Sequence, residues 1–177
     1  MPGLTIVRNY VEPKTAKELI TYFDQQPWST EISRRVQHYG YKYDAKEAPS
    51  TPSIPAICDD LRARLVKDGY FARLPDEMLV NEYKSGQGIA LHTDYQKIFG
   101  DTVVSLSLLS EYPMDFVRPS GPPEWKQQCH SHYLPVNSLM VMKGEARYDW
   151  KHGIAKRVKD RGVIRSRRVS VTFRCMI

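Results

Sequence analysis

The sequence has no long apolar stretch. Its 177 residues are 41% hydrophobic and 26% charged, and no segment approaches the run of about 18 apolar residues that a membrane-spanning helix needs. The N-terminal residues MPGLTIVR also lack the apolar core of a secretory signal. We therefore expect an intracellular protein without membrane contacts, located in the cytoplasm, with the nucleus as the alternative.

Cysteine is scarce as well. The three cysteines, Cys58, Cys129 and Cys175, lie far apart and form no C-x-x-C pair. Small secreted proteins that depend on disulfides contain more cysteines, usually in even number, so the composition indicates a reducing compartment. The segment 129–132, with the letters CHSH, contains three potential zinc ligands but no fourth. We interpret this segment as an exposed loop.

Acidic residues are almost missing from one segment of this basic chain. The formal net charge is +6, and residues 156–168 contain seven basic residues against the single acidic Asp160. This segment accounts for the whole positive excess, which favours a polyanion as the partner. Its predicted nucleic-acid contacts are Lys156, Arg157 and Lys159. A solvated charged loop is the alternative interpretation.

The apolar pattern predicts two helices followed by a series of strands. One helix is expected at 13–26, and a second at about 56–67, with an apolar face formed by Ile57, Leu61 and Leu65. Short apolar runs separated by turn residues predict strands at 78–83, 103–109, 114–117, 138–142 and 168–176. At this length we expect a single domain, residues 1–177, of mainly β structure with N-terminal helices (α+β), arranged as a sandwich or jelly roll.

A ribbon of alternating aromatic and basic residues follows the first helix. The segment 34–44 reads RRVQHYGYKYD, and such a mixture suits stacking on bases while phosphates are bound. An amphipathic hairpin whose tyrosines enter the core is the alternative. The predicted nucleic-acid contacts here are Arg34, Arg35, Tyr39, Tyr41 and Tyr43.

Candidate catalytic residues concentrate in the segment 81–94, NEYKSGQGIALHTD. His92 and Asp94 are two positions apart, so in an extended strand their side chains point to the same face. With a third ligand from elsewhere, for which His152 is the candidate, they form the set of two histidines and one carboxylate that suits oxygen-activating Fe(II). These three residues are therefore the predicted metal ligands and the predicted catalytic centre.

The C-terminal segment 168–174, RVSVTFR, is predicted to be a strand with one polar face. The residues on this face are Arg168, Ser170, Thr172 and Arg174. Two arginines on one face suit bidentate binding of a carboxylate. Asn81 and Tyr83 form another pair two positions apart, on the predicted strand 78–83.

These motifs occur in an order that resembles the AlkB family of Fe(II)/2-oxoglutarate dioxygenases. The shared pattern is N-x-Y, then G-x-x-I-x-x-H-x-D, a later histidine and a terminal R-x-S-x-T-x-R. Within the family, segments such as VQHYGYKY and SLMVMKGEARYDWKHGI are most similar to the AlkB-like domain of tRNA wobble-uridine hydroxylases. The resemblance implies a double-stranded β-helix that binds Fe(II) and 2-oxoglutarate, with the ribbon at 34–44 as a lid over the substrate nucleotide.

The resemblance also implies roles for residues outside the metal set. Arg168 would bind the distal carboxylate of 2-oxoglutarate, and Arg174 would lie near the metal-side carboxylate and Asp94. The other residues implied to bind 2-oxoglutarate are Asn81, Tyr83 and Ser170.

The expected reaction is the oxidation of a substituent on a nucleic-acid base. Hydroxylation of a modified tRNA wobble uridine is favoured, because repair-type members of the family usually have Asn at the position of Ser170 and an acidic residue at that of Gln96. The alternatives are oxidative demethylation of alkylated bases in single-stranded DNA or RNA, and hydroxylation of a protein side chain. The complete ligand set argues against a catalytically silent nucleic-acid-binding module. We further expect a monomer that needs a methyltransferase partner to make the modified uridine.

Overall fold

The computed structural model describes residues 1–41, 51–119 and 128–177. Its helices are α1 (Pro13–Gln25), α2 (Asp59–Lys67), which a short 3-10 turn precedes, and α3 (Gly144–Tyr148). Its strands are β1 (Leu4–Val7), β2 (Val36–Gly40), β3 (Glu77–Tyr83), β4 (Ile89–His92), β5 (Phe99–Leu108), β6 (Tyr112–Arg118), β7 (Gln128–Leu134), β8 (Leu139–Met142), β9 (Lys151–Ile154), β10 (Lys159–Asp160), β11 (Val163–Ile164) and β12 (Arg168–Met176).

Two antiparallel sheets form the body of the molecule. The larger has six strands in the order β1-β8-β5-β12-β3-β2, and the smaller has four in the order β4-β9-β6-β7. The C-terminal strand β12 lies inside the larger sheet, between β5 and β3. The predicted fold, a mainly β jelly roll with N-terminal helices, is confirmed.

The two faces of the larger sheet bury different kinds of side chain. On β12, Val169, Val171 and Phe173 belong to a core shared with α1 and α2. The alternate positions of the same strand face the smaller sheet, where a second core contains Phe116 and Met140. Because side chains alternate along a strand, β12 contributes both to the helix-side core and to a polar wall between the sheets.

Helices α1 and α2 cover the outer face of the larger sheet because their apolar residues recur at helical spacing. Leu19 and Phe23 of α1 are buried, as are Leu61 and Leu65 of α2. The prediction for Ile57 was wrong, since this side chain is 39% exposed. It lies in the 3-10 turn that precedes α2, where three residues per turn rotate it away from the buried face of the helix.

The segment 129–132 is not a loop as the sequence analysis expected. It lies in β7, which is the edge strand of the smaller sheet, and most of its side chains are exposed. An antiparallel sheet can face water on one side. The exposed side chains of such a strand are polar, and its sequence therefore resembles that of a loop. No helix among the described residues is long and apolar enough to cross a membrane.

Candidate active site

A cavity of about 310 Å³ opens between the two sheets. Its walls come from the inner faces of β3, β5 and β12 and from the pair β4–β9, and they combine methionine and aliphatic side chains with polar ones. The predicted metal and 2-oxoglutarate residues that line it are Asn81, Tyr83, His92, Asp94, His152, Ser170 and Arg174. Residues predicted from three separate motifs therefore converge on one space.

Three side chains of the type that binds metals meet in this cavity. The potential ligand atoms of His92, Asp94 and His152 lie within 4.8 Å of one another. Asp94 Oδ2 lies 3.4 Å from His152 Nε2, and the two imidazole rings are 4.4 Å apart between centroids. Across the described part of the chain, no other group of three such residues has this spacing. Atoms this close can bind one ion together.

Strand pairing places the two histidines opposite each other. β4 pairs antiparallel with β9, and His92 lies across from His152. A Cβ at Gly88, just before β4, would lie 2.1 Å from the carbonyl oxygen of Ile154. The close approach of these two backbone segments therefore requires glycine. Asp94 lies two residues beyond the end of β4 and therefore comes from a loop, not from the strand that the sequence analysis expected.

Both histidines can present a lone pair to a metal ion. His92 Nδ1 lies 2.9 Å from the carbonyl oxygen of Ala90, which can only accept, so Nδ1 donates and Nε2 carries the lone pair. Burial lowers the pKa of His152 to about 4, so its imidazole is neutral at physiological pH. Neutral imidazole is the form that binds metals.

Asp94 is held in its charged form by Arg174. The guanidinium donates from Nη1 to Asp94 Oδ1 at 2.5 Å. Burial by itself would raise the pKa of Asp94, but the positive charges of the nearby arginines, above all that of Arg174, outweigh this effect and the pKa lies below its ordinary value. Asp94 therefore offers a charged oxygen, Oδ2, on the side of His152.

Arg168 is a buried cation with unused hydrogen-bond donors. Its side chain is 0% exposed; Nη2 donates to Ser107 Oγ at 2.8 Å, while Nε and Nη1 have no hydrogen-bond partner. The rings of Tyr83 and Tyr112 lie 5.4 and 5.9 Å from its Cζ, and burial lowers its pKa. Leaving a buried charge without a partner costs several kcal/mol. The arrangement therefore fits a carboxylate that comes from a bound molecule.

Comparison with known proteins identifies the family. The 2OG-Fe(II) oxygenase superfamily matches residues 3–174. Uncharacterized protein L905 of Acanthamoeba polyphaga mimivirus is 34% identical over 183 residues, which cover 99% of this chain and 85% of that protein. The tRNA (carboxymethyluridine(34)-5-O)-methyltransferase ALKBH8 of Macaca fascicularis is 37% identical over 172 residues, 90% of this chain and 25% of that protein. The chain belongs to the AlkB family of 2OG-Fe(II) oxygenases.

This AlkB-family protein is thus a dioxygenase that uses Fe(II) and 2-oxoglutarate, and the cluster of His92, Asp94 and His152 fits iron binding. It spans about a quarter of the length of its ALKBH8 relative. Among solved structures, OsALKBH1 has a TM-score of 0.71 at 18% identity, over 98% of each chain, a similarity that concerns the fold.

The residues predicted to bind 2-oxoglutarate lie on adjacent strands of the larger sheet. Tyr83 of β3 is paired with Arg168 of β12, and Asn81 with Ser170. Asn81, Tyr83 and Ser170 line the cavity. Arg174, at the far end of the same polar face, contacts the predicted metal ligand Asp94. Arg168, which is buried and does not line the cavity, and Arg174, which contacts Asp94, lie at opposite ends of the polar face of β12. These 2-oxoglutarate contacts stay predictions.

Two residues of the predicted nucleic-acid ribbon have structural roles. Arg35 donates twice to Glu82 at 2.7 Å and lies over the ring of Trp28. The prediction that Tyr39 stacks on a base was wrong, because this residue is 5% exposed and packs against Phe23. Side chains alternate along β2, and Tyr39 takes the core face.

The other residues of the ribbon lie near the cavity or outside the described residues. Arg34 and Tyr41 line the cavity, and Tyr41 is 54% exposed. Gly40, with a φ of +76°, breaks the alternation between Tyr39 and Tyr41, which only glycine does without strain. Tyr43 lies outside the described residues.

The basic segment 156–168 exposes fewer charges than its sequence suggests. Arg165 and Arg167 are held in ion pairs by carboxylates, and Arg168 is buried. The basic residues that remain exposed surround the hairpin β10–β11 and are Lys156, Arg157, Lys159 and Arg161. Of these, Arg157 lies 3.6 Å from the carboxylates of Asp115 and Asp160. The three predicted contacts of this segment are thus at the surface, and their role in nucleic-acid binding stays a prediction.

Two buried charged residues of the site were not predicted from the sequence. Arg147 of α3 donates to the carbonyl oxygens of Asp94, Phe99 and Gly100 at 2.9 to 3.3 Å, and so supports the loop that carries Asp94. Glu77 accepts two hydrogen bonds from Arg174. The one signal in the sequence was the alternation that places Glu77 on the same face of β3 as Asn81.

Proposed function

We propose that this dioxygenase hydroxylates a substituent of a modified wobble uridine in tRNA. The observation that carries the proposal is the charge of the cavity. Among the described residues, the carboxylates on its walls are Glu77 and Asp94, and both are bonded to Arg174. Gln96 directs its amide to the carbonyl oxygen of Tyr148 at 3.0 Å. The described part of the cavity wall thus offers no unpaired carboxylate to a cationic alkylated base, whereas a uridine derivative is neutral at its ring.

The mouth of the cavity suits a nucleobase. Tyr41 and Tyr95 belong to its walls and are 54% and 52% exposed. Aromatic faces in such positions stack on bases. Arg34 is a third wall residue, and a guanidinium can bind phosphate. The similarity to a protein named for carboxymethyluridine at tRNA position 34 also supports the proposal.

The reaction divides the work between cofactors and chain. Bound Fe(II) and 2-oxoglutarate supply the oxidation, in which one atom of O2 enters a C–H bond of the substrate and the other enters the succinate formed with CO2. His92, Asp94 and His152 would hold the metal and leave its other positions open for ligands. Arg168 would orient the distal carboxylate of the co-substrate, and the methionines of the cavity wall would limit access of water.

The attachment of the oxidised carbon decides the product. A hydroxyl on a carbon bound to nitrogen gives a hemiaminal, which collapses and removes the alkyl group. A substituent at C5 of uridine is attached through carbon, so the hydroxyl stays. The proposed product is therefore a hydroxylated uridine, whereas a methylated base nitrogen would lose its methyl group.

The proposal is tested by measuring succinate release and the mass of the product nucleosides. Purified protein with Fe(II) and 2-oxoglutarate is given either tRNA that carries the modified wobble uridine or single-stranded DNA with methylated bases. We expect a gain of one oxygen atom on the uridine and no change in the DNA. The same tRNA without the modification is the control. Loss of methyl groups from the DNA, with an unchanged uridine, would mean repair and would contradict the proposal.

We propose that the exposed basic residues near β10–β11 bind the tRNA backbone. A double variant, Lys156→Gln with Lys159→Gln, should weaken tRNA binding and make it less dependent on salt, because each lost phosphate contact lowers the slope of log K against log salt by roughly 0.7 to 0.9. Binding is measured by titration at several salt concentrations.

The matched control for this prediction removes the same charge from another surface. Lys14 and Lys17 are exposed on α1, which packs on the outer face of the larger sheet, away from the cavity. Lys14→Gln with Lys17→Gln should leave the salt slope unchanged. An equal effect of both pairs would show that only net charge matters, and salt-insensitive binding would favour a protein substrate.

The proposed substrate carries further expectations. We propose that a methyltransferase partner is needed to make the modified uridine. We propose that the chain acts as a monomer, with residues 1–177 as one domain, and in the cytoplasm, where tRNA is available. We expect a single sedimentation boundary at the monomer mass without RNA, and one at the mass of a single chain plus a single tRNA when tRNA substrate is added.

A further inference from the structure

Glu77 is a buried carboxylate that no step of the proposed reaction uses. It is the first residue of β3, lies opposite Arg174 of β12, and is 2% exposed. Its Oε2 accepts from Arg174 Nε, and its Oε1 from Nη2, both at 2.7 Å. The guanidinium is thus held along one edge, and the nitrogen that remains, Nη1, donates to Asp94 Oδ1.

The face of the same guanidinium is also covered. Arg174 Cζ lies 4.0 Å from the centroid of the Phe99 ring. With one edge and one face occupied, Arg174 reaches Asp94 through a single nitrogen. It therefore takes one carboxylate oxygen, Oδ1, while Oδ2 lies 3.4 Å from His152 Nε2.

We propose that Glu77 is a positioning residue for the metal ion. It holds Arg174 so that the guanidinium occupies one oxygen of Asp94 and leaves the other to the ion. Without Glu77, Arg174 could turn and take both oxygens, as paired guanidinium and carboxylate groups commonly do. The inference rests on the proposed ligands His92, Asp94 and His152.

Glu77 also acts through its charge. Arg174 places a positive charge beside the site of a divalent cation, and in a buried environment the repulsion between them is weakly screened. The Glu77 carboxylate offsets that charge. Its removal therefore disfavours a cation and favours an anion at the same site, so that the affinities for metal and for 2-oxoglutarate should change in opposite directions.

The experiment compares metal binding by Glu77→Gln and by a matched control. Mn(II) is titrated into the full chain without 2-oxoglutarate or substrate, and we expect the affinity of Glu77→Gln to be about tenfold weaker than that of the wild-type protein, the usual effect of removing a residue behind a metal ligand. The control is Glu82→Gln. Glu82 lies on the same strand, is 1% exposed and is bonded to Arg35 and Arg167. We expect its variant to bind Mn(II) within about twofold of the wild type.

A second titration distinguishes the proposed role of Glu77 from a general destabilisation of the structure. At saturating Mn(II), 2-oxoglutarate should bind Glu77→Gln as tightly as the wild type or more tightly. Glu77→Asp keeps the charge and should recover at least about threefold of the lost Mn(II) affinity. Unchanged Mn(II) affinity of Glu77→Gln, an equal loss of both ligands, or no recovery in Glu77→Asp would overturn the proposal.

His92→Ala distinguishes this outcome from a failure of the ligand assignment. If His92→Ala binds Mn(II) as the wild type does, the proposed ligand set itself is wrong. If His92→Ala loses Mn(II) while Glu77→Gln keeps it, only the role of Glu77 is overturned. None of these measurements depends on which nucleic acid is the substrate.

Discussion

The Arg168→Met variant is expected to lose 2-oxoglutarate binding and yet to have a higher free energy of unfolding than the wild-type protein. Without a bound carboxylate, Arg168 is fully buried and two of its donors have no partner. Apolar replacement of a buried ion pair by side chains of similar volume is often neutral or stabilising, by about 1–4 kcal/mol. Because two donors of Arg168 have no partner, we expect a gain in this range. Denaturant unfolding of the protein without cofactors measures this gain.

The same substitution should damage the enzyme. Truncating one partner of a buried, hydrogen-bonded charge pair costs about 2–5 kcal/mol of binding free energy, which is a factor of roughly 30 or more in affinity. We therefore expect the KM for 2-oxoglutarate to rise by at least that factor. Mn(II) affinity should change little, because Arg168 donates its hydrogen bond to Ser107, which is not a proposed metal ligand.

Arg147→Met is the matched control for Arg168→Met. Arg147 is an equally buried arginine, at 2% exposed, but its donors are all directed to carbonyl oxygens within the chain. Its loss leaves buried acceptors without partners, so we expect a destabilisation of about 1–3 kcal/mol. If Arg168→Met lowered the free energy of unfolding by the same amount, the hypothesis that Arg168 binds the carboxylate of a bound molecule would be wrong.

The second large effect is expected for His92→Ala. Replacing a residue that orients a metal ligand typically lowers metal affinity or activity 10–100-fold. Loss of a ligand itself should therefore lower 2-oxoglutarate turnover by more than about a hundredfold. His92 is partly exposed at the end of β4, and its removal should therefore leave the fold intact. Binding of tRNA should persist within about twofold, since the proposed backbone contacts lie near β10–β11.

A second histidine of the same sheet provides the control for His92→Ala. His130 is exposed on the edge strand β7 and is not part of the metal cluster. His130→Ala should keep wild-type succinate release and wild-type Mn(II) affinity. Turnover that survives in His92→Ala would contradict the ligand assignment, and a loss of tRNA binding in the same variant would show that the metal site and the RNA site are coupled.

The sequence predicted those parts of the site that depend on local spacing. His92 and Asp94 are two residues apart, and the polar face of β12 follows from alternation within one strand. The third predicted ligand, His152, was a candidate without support from spacing, because its distance along the chain from His92 carries no periodic signal. The order of motifs shared with a family supported it. The fold class followed from short apolar runs with turn residues between them.

What the sequence could not predict are contacts that depend on which strands pair. Arg174 and Glu77 are 97 residues apart, and no local pattern links them. The same limit explains the corrections: Tyr39 enters the core because β2 joins the larger sheet beside β3, and Arg167 leaves the basic surface because Asp24, 143 residues away, binds it. The charges in a sequence therefore describe the protein surface only once the fold shows which of them are exposed and free of ion pairs.

The division of β12 into two faces also bears on how this protein can diverge. Val171 and Phe173 anchor the helices, while Ser170 and Thr172 border the cavity, so a point substitution at either of the latter can alter ligand preference without repacking the helix-side core. Strand length has no such freedom, since a one-residue deletion would exchange the two faces, turning arginines toward the helices and phenylalanine toward the cavity. Evolution of this strand is thus confined to replacements, and insertions or deletions are left to the loops.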